Sequence, residues 1–403
     1  MPRVAILFDN FGPYHLARLN AASSACDVLA VEFGSSSAEY EWNASESGGL
    51  KRVALNDRGS SHDLSIEEFK GRLFHVLDEY KPEVVVVPGW GYRGALMALG
   101  WGLVHRVPVI CMSESTRWDE ARNPLKEWIK RRIIGLFSSA LVGGTPHRDY
   151  MAELGMPTDR IFLGYDAVDN GFFAEKSEEL GNKKGPYFLA SARFIEKKNL
   201  PRLLKAYAQY RKATISAVES RGTRDEGQNQ QSDPLWNLLL LGDGAMRLEL
   251  ENLRAELELE ECVQMPGFKQ YDELPSYYAR AGVFIHASTT EQWGLVVNEA
   301  MASGLPVLVS NRCGCAADLV QDGVNGYTFD PSNEEKIAEL MLRISSDEET
   351  RVRMGARSRG IIAEWGPERF ASGLKASVEA ALAAPRKKAG LMDRLILNVL
   401  TRK

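Results

Sequence analysis

The stretch 286–331, HASTTEQWGLVVNEAMASGLPVLVSNRCGCAADLVQDGVNGYTFDP, decides the fold of this chain. An apolar run, Val283–His286, leads into a polar loop, and an apolar helix-length segment then opens near Leu295 and ends at Gly304. A second apolar run, Pro306–Ser310, follows at once. Runs of Val, Ile and Leu without polar alternation are typical of parallel strands that are buried on both faces. The stretch therefore predicts a strand–helix–strand unit of an α/β protein.

The same alternation of short apolar runs and helix-length segments covers most of the 403 residues, too many for a single core. One series over residues 4–142 and a second over 187–344 predict two Rossmann-like domains. Residues 164–186, rich in Gly, Asn, Asp and Lys, are interpreted as the linker between them. We expect an N-terminal domain over 1–168, a C-terminal domain over 169–370, and a C-terminal helical segment over 371–403.

The composition excludes several classes of protein. A formal net charge of -5 argues against nucleic-acid binding. The five cysteines lack the spacing of a disulfide framework or a zinc site, so reduced thiols are expected. The sequence shows neither a signal peptide nor an apolar run of membrane-spanning length, which favours a cytoplasmic protein. Residues 217–234 are polar without apolar periodicity and are expected to form a surface excursion.

Two glutamates flank the start of the predicted helix in the opening stretch. Glu291 precedes this helix and Glu299 lies about one turn inside it, so their carboxylates can address different parts of one extended ligand. Gly294 lets a ligand come close to the N–H groups at Gly294, Leu295 and Val296, and a helix start of this kind suits a diphosphate. The alternative for the glutamates is solvated surface, which the apolar surroundings of Glu299 disfavour.

A basic turn follows the first apolar run of the second series, in the segment SARFIEKKNLPRLLKAY. Arg193 and Lys198 stand five residues apart there, and two cations at a strand-to-helix turn can clamp a diphosphate. Lys197 competes with Lys198 for this role, although the spacing favours Lys198. The alternative is a solvated basic turn.

The segment EQWGLVVNEAMASGLPV, residues 291–307, resembles the donor-binding signature of the family-4 retaining glycosyltransferases of the GT-B fold. That signature has two glutamates with seven residues between them. The basic turn resembles the family's G-R-x-x-x-x-K-G motif, with Asn199 in the place of its last glycine. Gly242-Asp243-Gly244 resembles the family's G-x-G turn, and Cys313-Gly314-Cys315 replaces part of its Gly-Gly turn.

This resemblance implies a GT-B fold, with two Rossmann-like domains that face each other across a cleft. It implies a hexosyltransferase-type enzyme that moves a sugar from a UDP- or GDP-sugar to an acceptor hydroxyl with retention, in exopolysaccharide, glycolipid or lipid-linked oligosaccharide biosynthesis. No D-x-D triplet occurs, so neither a metal nor another cofactor is expected. The resemblance assigns catalytic roles to Glu291, Arg193 and Lys198. It assigns donor binding to Glu299, Gly294, Leu295, Val296, Gly12, Gly267 and Phe268, with the last two at the nucleobase.

The N-terminal domain departs from the family pattern at two places. Gly12 stands alone after the first strand, where a pair of glycines is usual, and His15 follows near the opening of a helix. His15 contacts either donor or acceptor, or else it has a packing role. Ser113 or Glu114 occupies the place of a histidine in the family, so Glu114 is a candidate contact to the donor sugar or the acceptor.

Two basic amphipathic segments, residues 124–138 and 386–403, leave a choice between packing on the protein and contact with a membrane. Membrane contact would suit a lipid-linked acceptor and a peripheral location on the inner face of a membrane. Packing back on the N-terminal domain is the alternative for the second segment. Two other functions remain open, a GT-B nucleotide-sugar epimerase and a non-catalytic nucleotide-sugar-binding protein.

Overall fold

The structure, a computed structural model, describes residues 1–35, 49–180, 185–222 and 235–402. It divides into two compact units, one formed by Met1–Asp169 with Trp365–Lys403 and the other by Asn170–Glu364. The second unit ends a few residues before the expected boundary at residue 370. Within the described ranges, no helix combines the length and the apolar character needed to cross a bilayer.

The first unit is built on seven parallel strands in the order β3-β2-β1-β4-β5-β6-β7. The strands are β1 Arg3–Phe8, β2 Asp27–Glu32, β3 Lys51–Ala54, β4 Val84–Pro88, β5 Val109–Ser113, β6 Ser139–Val142 and β7 Ile161–Leu163. The helices between them are α1 Pro13–Ala22, α2 Ile66–Tyr80, α3 Arg93–His105, α4 Pro124–Ile134 and α5 Thr145–Glu153. Strands β3 and β7 escape prediction, because β3 is largely exposed and β7 has only three residues.

The second unit has six parallel strands in the order β10-β9-β8-β11-β12-β13. In chain order its elements are α6 Asn170–Glu179, β8 Tyr187–Ser191, α7 Leu200–Gly222, β9 Asn237–Leu241, α8 Arg247–Glu256, β10 Val263–Gly267, α9 Leu274–Arg280, β11 Val283–His286, α10 Leu295–Ala302, β12 Val307–Ser310, α11 Ala316–Leu319, β13 Gly326–Phe329, α12 Glu334–Ser345 and α13 Glu348–Ile362. Two parallel sheets thus confirm the predicted doubly wound α/β fold class.

The C-terminal helices α14 Pro367–Ala383 and α15 Leu391–Leu400 belong to the first unit. Along β1, successive residues point to opposite faces of the sheet and both sets are buried. Ala5 and Leu7 pack with α2 and α3 on one face, whereas Val4 and Ile6 pack with α14 on the other. This two-sided burial is the physical reason for the continuous apolar runs of the sequence.

Two segments contain more helix than predicted. The proposed linker, residues 164–186, includes α6, whose Phe173 is fully buried with its ring edge-on to the rings of Tyr271 and Tyr278. These aromatic contacts come from distant residues, so composition alone did not reveal them. The predicted surface excursion, 217–234, is helical as far as Gly222, and residues 223–234 lie outside the described part of the chain.

Helices α1 and α5 both begin with a glycine cap, a proline at one of the first two helical positions and a histidine at the third. The Gly12 N–H donates to His15 Nδ1 at 3.0 Å, and the Gly144 N–H donates to His147 Nδ1 at 3.1 Å. Each imidazole thus does what a glutamate does at the third position of a capping box. Burial, and then the charge of Arg18, lowers the pKa of His15 to about 3, which keeps Nδ1 available as an acceptor.

The cap at His15 is expected to make folding sensitive to acid. The folded-state pKa lies below the ordinary value of 6.5, so stability is complete above pH 6.5 and falls as the unfolded chain takes up a proton. We expect His15→Gln, which keeps an acceptor but cannot titrate here, to remove about 2 kcal/mol of the stability loss between pH 7 and pH 5. Urea unfolding at the two pH values measures this difference. Parallel losses in the wild type and the variant would contradict it.

Candidate active site

The second sheet reverses its strand order between β8 and β11, which pair in parallel. In open α/β sheets, ligands bind outside the carboxyl ends of the strands at such a reversal. The loop after β8 carries Arg193 and Lys198, and the loop after β11 carries Glu291. The topology therefore brings together side chains that are 93 positions apart in the chain.

The loop after β9 contains two glycines that let it lie directly against the loop after β8. Gly242 and Gly244 have φ values of +128° and +151°, and a Cβ on Gly242 would lie 1.9 Å from the Ala192 carbonyl oxygen. The Phe194 N–H donates to the Asp243 carbonyl at 2.7 Å. The glycines of the G-x-G turn thus allow close packing of two loops, and this packing fixes the course of the basic turn.

Gly267 and Phe268, predicted to contact the nucleobase, lie beside that turn. The Gly242 N–H donates to the Gly267 carbonyl at 3.1 Å, at the carboxyl end of β10. Phe268 follows with 39% of its surface exposed, which is unusual for a phenylalanine. An exposed aromatic ring at a strand end offers a flat apolar surface of the kind on which a base can stack.

Asn199 anchors the basic turn to two other loops. Its backbone is left-handed, with φ of 58°, and its side-chain amide donates to the carbonyls of Ala287 at 3.0 Å and Pro331 at 2.8 Å. Glycine, the usual residue here in the family that the sequence resembles, would allow the same backbone but no such hydrogen bonds. Asparagine tolerates the left-handed region and adds both anchors. The Lys197 carbonyl completes the attachment by accepting from the Thr289 N–H at 2.9 Å.

Lys198 and Glu291 form an ion pair at the strand-order reversal, and each side chain is only 11% exposed. His286 Nε2 and Ser288 Oγ each lie 3.4 Å from the same carboxylate oxygen, and 3.2 Å from one another. Burial opposes ionisation, yet the hydrogen bond with His286 and the charge of Lys198 hold the pKa of Glu291 well below its usual value. Burial lowers the pKa of His286, which favours the neutral ring. Arg193 is half-buried in the same loop as Lys198.

The backbone of Glu291 is held by the turn that follows β12. The Glu291 N–H donates to the Arg312 carbonyl at 3.1 Å, and the Gly314 N–H donates to the Glu291 carbonyl at 3.0 Å. Cys313 forms an isolated parallel bridge with Glu291. Cys313 and Cys315 are both buried free thiols, so the Cys-Gly-Cys sequence acts here as a compact apolar turn.

Gly294 starts α10 in the left-handed conformation, with φ of 101° and ψ of 61°. Only glycine adopts this region without strain, and the first N–H groups of the helix lack intrahelical acceptors. Leu295 and Val296, the first two helical residues, are half-buried. The predicted diphosphate-binding helix start is thus directly preceded by the loop that carries Glu291.

Glu299 lies in the interior of the second unit. It has no exposed area, and Tyr278 Oη donates to its carboxylate at 2.6 Å. Burial and the neighbouring Glu299 raise the pKa of Tyr278 well above its usual value, which secures the hydroxyl as a donor. The structure therefore brings Lys198 and Glu291 into direct contact and gives Glu299 a buried partner. Contact of Glu299 with a donor stays a prediction.

The predicted residues of the first unit lie at the carboxyl edge of its own sheet. Gly12 and His15 form the cap of α1, and the His15 ring packs on Phe8 with 4.5 Å between centroids. Glu114 follows β5 and is half-buried. The arrangement at His15 favours the packing role, and its contact with donor or acceptor stays a prediction.

Beside Glu114 lies a buried carboxyl group that the sequence patterns did not reveal. Asp166, after β7, has no exposed surface, and its Oδ1 lies 3.8 Å from Nη2 of the buried Arg18. Burial, and then the neighbouring Glu114, raises the pKa of Asp166 well above its usual value, although Arg18 opposes the shift. The first unit thus holds two adjacent carboxyl groups, and burial favours the protonated form of Asp166.

Residues 172–360 match the family model described as glycosyl transferases group 1. We name residues 172–360 the glycosyltransferase domain after this match. The probable sucrose-phosphate synthase 4 of Oryza sativa subsp. japonica is 30% identical over 46% of this chain and 17% of its own length. The alpha-D-kanosaminyltransferase of Streptomyces kanamyceticus is 24% identical over 62% of either chain. The chain thus spans less than two thirds of either curated relative.

The crystal structure of Anabaena HepE in complex with UDP and glucose matches this chain with a TM-score of 0.67. The sequence identity is 16%, and the match covers 93% of this chain and 98% of the other. The likeness extends beyond the glycosyltransferase domain to the first unit. It confirms the predicted GT-B fold class.

Several residues around the site of the glycosyltransferase domain were not predicted. His286 could have been suspected, because it is a polar residue at the carboxyl end of a buried strand at the strand-order reversal. Ser288 and Tyr278 gave no such signal, since their partners Glu291 and Glu299 reach them only through tertiary packing.

Replacing Asn199 tests whether the basic turn depends on its two side-chain anchors. Asn199→Ala is expected to destabilise the glycosyltransferase domain by about 2–4 kcal/mol, because it leaves two buried carbonyls without a donor and puts alanine in the left-handed region. Asn199→Gly loses the same hydrogen bonds, but glycine adopts the left-handed backbone without strain. It should therefore destabilise the domain by about 1 kcal/mol less than Asn199→Ala does. Urea unfolding measures both effects. Equal losses in the two variants would refute the backbone part of this account.

Proposed function

We propose that the protein is a retaining glycosyltransferase that moves a sugar from a UDP- or GDP-sugar to an acceptor hydroxyl. The observation that carries this proposal is the Lys198–Glu291 ion pair at the strand-order reversal of the glycosyltransferase domain. The pair holds a cation in place before a donor arrives, at the strand ends where ligands of such sheets bind. The UDP and glucose in the HepE structure support this class of donor.

The leaving diphosphate gains negative charge as its bond to the sugar breaks. Arg193, Lys198 and the N–H groups at the start of α10 would stabilise this charge, which is the kind of contribution that dominates such catalysis. A donor phosphate would replace Glu291 as the partner of Lys198. The ionised Glu291 would then face the sugar ring, where positive charge develops as the bond lengthens.

Retention follows if the acceptor attacks on the face from which the diphosphate leaves. The acceptor oxygen bonds to the anomeric carbon, the bond from that carbon to the phosphate oxygen breaks, and this oxygen takes the acceptor proton. The route needs no strong protein base and, with two cations at the diphosphate, we propose that it uses no metal. His286, which is neutral, would position Glu291 through its hydrogen bond without adding charge.

The proposed acceptor is a saccharide or a lipid-linked saccharide, as in exopolysaccharide, glycolipid or lipid-linked oligosaccharide biosynthesis. The half-buried Glu114 is the proposed polar contact for such an acceptor or for the donor sugar. Gly12 and His15, at the start of α1, are the other proposed contacts of the first unit. A lipid-linked acceptor would place the protein in the cytoplasm at the inner face of a membrane.

Lys198→Ala is expected to abolish glycosyl transfer, because the diphosphate loses its main cation. The variant should keep the fold at a lower stability, because Glu291 loses its partner. A loss of at least about 100-fold in kcat is typical when one preorganised charge-stabilising group is removed. Lys197→Ala is the matched control, since it removes the neighbouring lysine side chain and keeps the backbone contact to Thr289. Release of nucleotide from a panel of UDP- and GDP-sugars, with and without saccharide acceptors, provides the assay.

Other results of the same assay would reject the proposal. An epimerised nucleotide sugar formed without any acceptor would indicate an epimerase, and donor binding without turnover would indicate a non-catalytic binding protein. Wild-type activity in Lys198→Ala would contradict the site itself.

We propose that Glu299 exchanges its hydrogen bond from Tyr278 for one from the ribose of the donor. Tyr278→Phe should then lower the donor KM by roughly fivefold with little change in kcat, because one hydrogen bond no longer has to be exchanged. Glu299→Ala should abolish transfer. The measurement is steady-state kinetics with varied donor, beside thermal unfolding of each variant. A Tyr278→Phe protein that is less stable but has the wild-type KM would assign Glu299 to structure alone.

A further inference from the structure

Helix α15 is apolar on two faces, and the protein covers only one of them. Leu397 is buried in the core of the first unit, and Ile396 and Leu400 pack against that core. On the other side, side chains at one helical spacing are exposed: Leu391 by 90%, Met392 by 48%, Leu395 by 57% and Val399 by 51%. A helix that served only to pack on the protein would carry polar residues on this side.

Helix α4 extends this uncovered surface. Arg132 of α4 bonds to Asp393 of α15, with 2.7 Å between Nη2 and Oδ1, and its guanidinium lies over the ring of Trp128. Trp128 is 44% exposed and Leu125, one turn earlier, is 66% exposed. We call these residues the outer apolar face: Leu125, Trp128, Leu391, Met392, Leu395 and Val399. Contiguous exposed apolar surface of this kind marks a site of interaction.

A basic segment borders the outer apolar face. Lys387 Nζ donates to the Gly135 carbonyl at 3.0 Å, which fixes the chain before α15 across the end of α4. Arg386 and Lys387, with Arg106 from the end of α3, line a small cavity at this border. Arg386, Lys388 and Arg394 are exposed. The formal net charge of the chain is -5, so this cluster of basic residues is a local positive charge on a protein that is negative as a whole.

We propose that the outer apolar face docks on an anionic phospholipid bilayer, with α15 lying along the membrane surface. The row of exposed side chains runs parallel to the helix axis, so the helix can lie flat with its apolar side among the acyl chains and its cations at the headgroups. A tryptophan at the edge suits the interfacial region. Leu391, almost fully exposed at the first helical position, protrudes from the surface, and a fluid bilayer accommodates such a side chain without a matching cavity.

Two interactions would then act together, apolar insertion and attraction to anionic headgroups. Each basic residue near an anionic surface strengthens binding by about fivefold at moderate ionic strength, and salt screens this part. Docking does not depend on glycosyl transfer. It would serve the proposed reaction if the acceptor is anchored in the same bilayer.

Sedimentation of the full chain with vesicles tests the docking. Wild-type protein is expected to bind vesicles of phosphatidylglycerol and phosphatidylcholine at least about tenfold more strongly than vesicles of phosphatidylcholine alone, because each contacting cation strengthens binding by about fivefold. Salt at about 0.5 M should weaken this binding, because it screens the attraction between the cations and the headgroups. The double variant Leu391→Glu/Leu395→Glu should lose binding by at least about tenfold. The matched control is Leu248→Glu/Val352→Glu, which changes two residues of the second unit with 69% and 68% exposure and should bind as the wild type does.

Three results would overturn the proposal. These are no binding of the wild type to anionic vesicles, equal binding to neutral ones, and unchanged binding of the Leu391→Glu/Leu395→Glu variant. A concentration-dependent dimer that this double variant abolishes would assign the face to a second copy of the chain instead. Circular dichroism and donor hydrolysis without vesicles should match the wild type in both variants, so that a failure of docking is separable from a failure of the proposed reaction.

Discussion

The site of the glycosyltransferase domain depends on one partly buried ion pair, Lys198 with Glu291. A buried pair is stable only when its remaining polar atoms are hydrogen-bonded, and losing one partner costs about 3–5 kcal/mol. His286 and Ser288 surround the carboxylate, and four loops at the ends of neighbouring strands fix the two backbones. The pair is therefore a product of the whole sheet edge, and a displacement of any of these loops would leave a charge without its partner.

Two departures from the family pattern make sense as supports for this pair. Asn199 keeps the left-handed backbone that glycine would provide and adds hydrogen bonds to two loops. The turn Cys313-Gly314-Cys315 replaces glycines with small apolar side chains that are buried behind Glu291. The first substitution adds hydrogen bonds, and the second adds buried apolar packing. A sequence mismatch at these positions is thus compatible with an intact site.

The first unit differs from the family pattern in what its strand ends carry. His15 serves as a helix cap, and Glu114 stands next to the buried Asp166 and Arg18. The sheet itself is unaffected, because loops at strand ends vary without disturbing the buried strands beneath them. The same unit leaves one face of α15 uncovered.

The sequence by itself determined the two αβ series, the parallel sheets and the positions of the basic turn and of Glu291. These follow from local patterns: apolar runs for buried strands, glycines at turns, and charged residues directly after strands. Tertiary structure alone decided that α6 and the end of α7 are helical, that Glu299 is bonded to Tyr278, and that Asp166 adjoins Glu114. Each of these depends on groups far apart in the chain, and a distant partner leaves no trace in local periodicity. Helix α15 is a further example. Its amphipathic sequence suits both packing on the protein and contact with a membrane, and only the packing of the folded chain shows which of its apolar faces is covered.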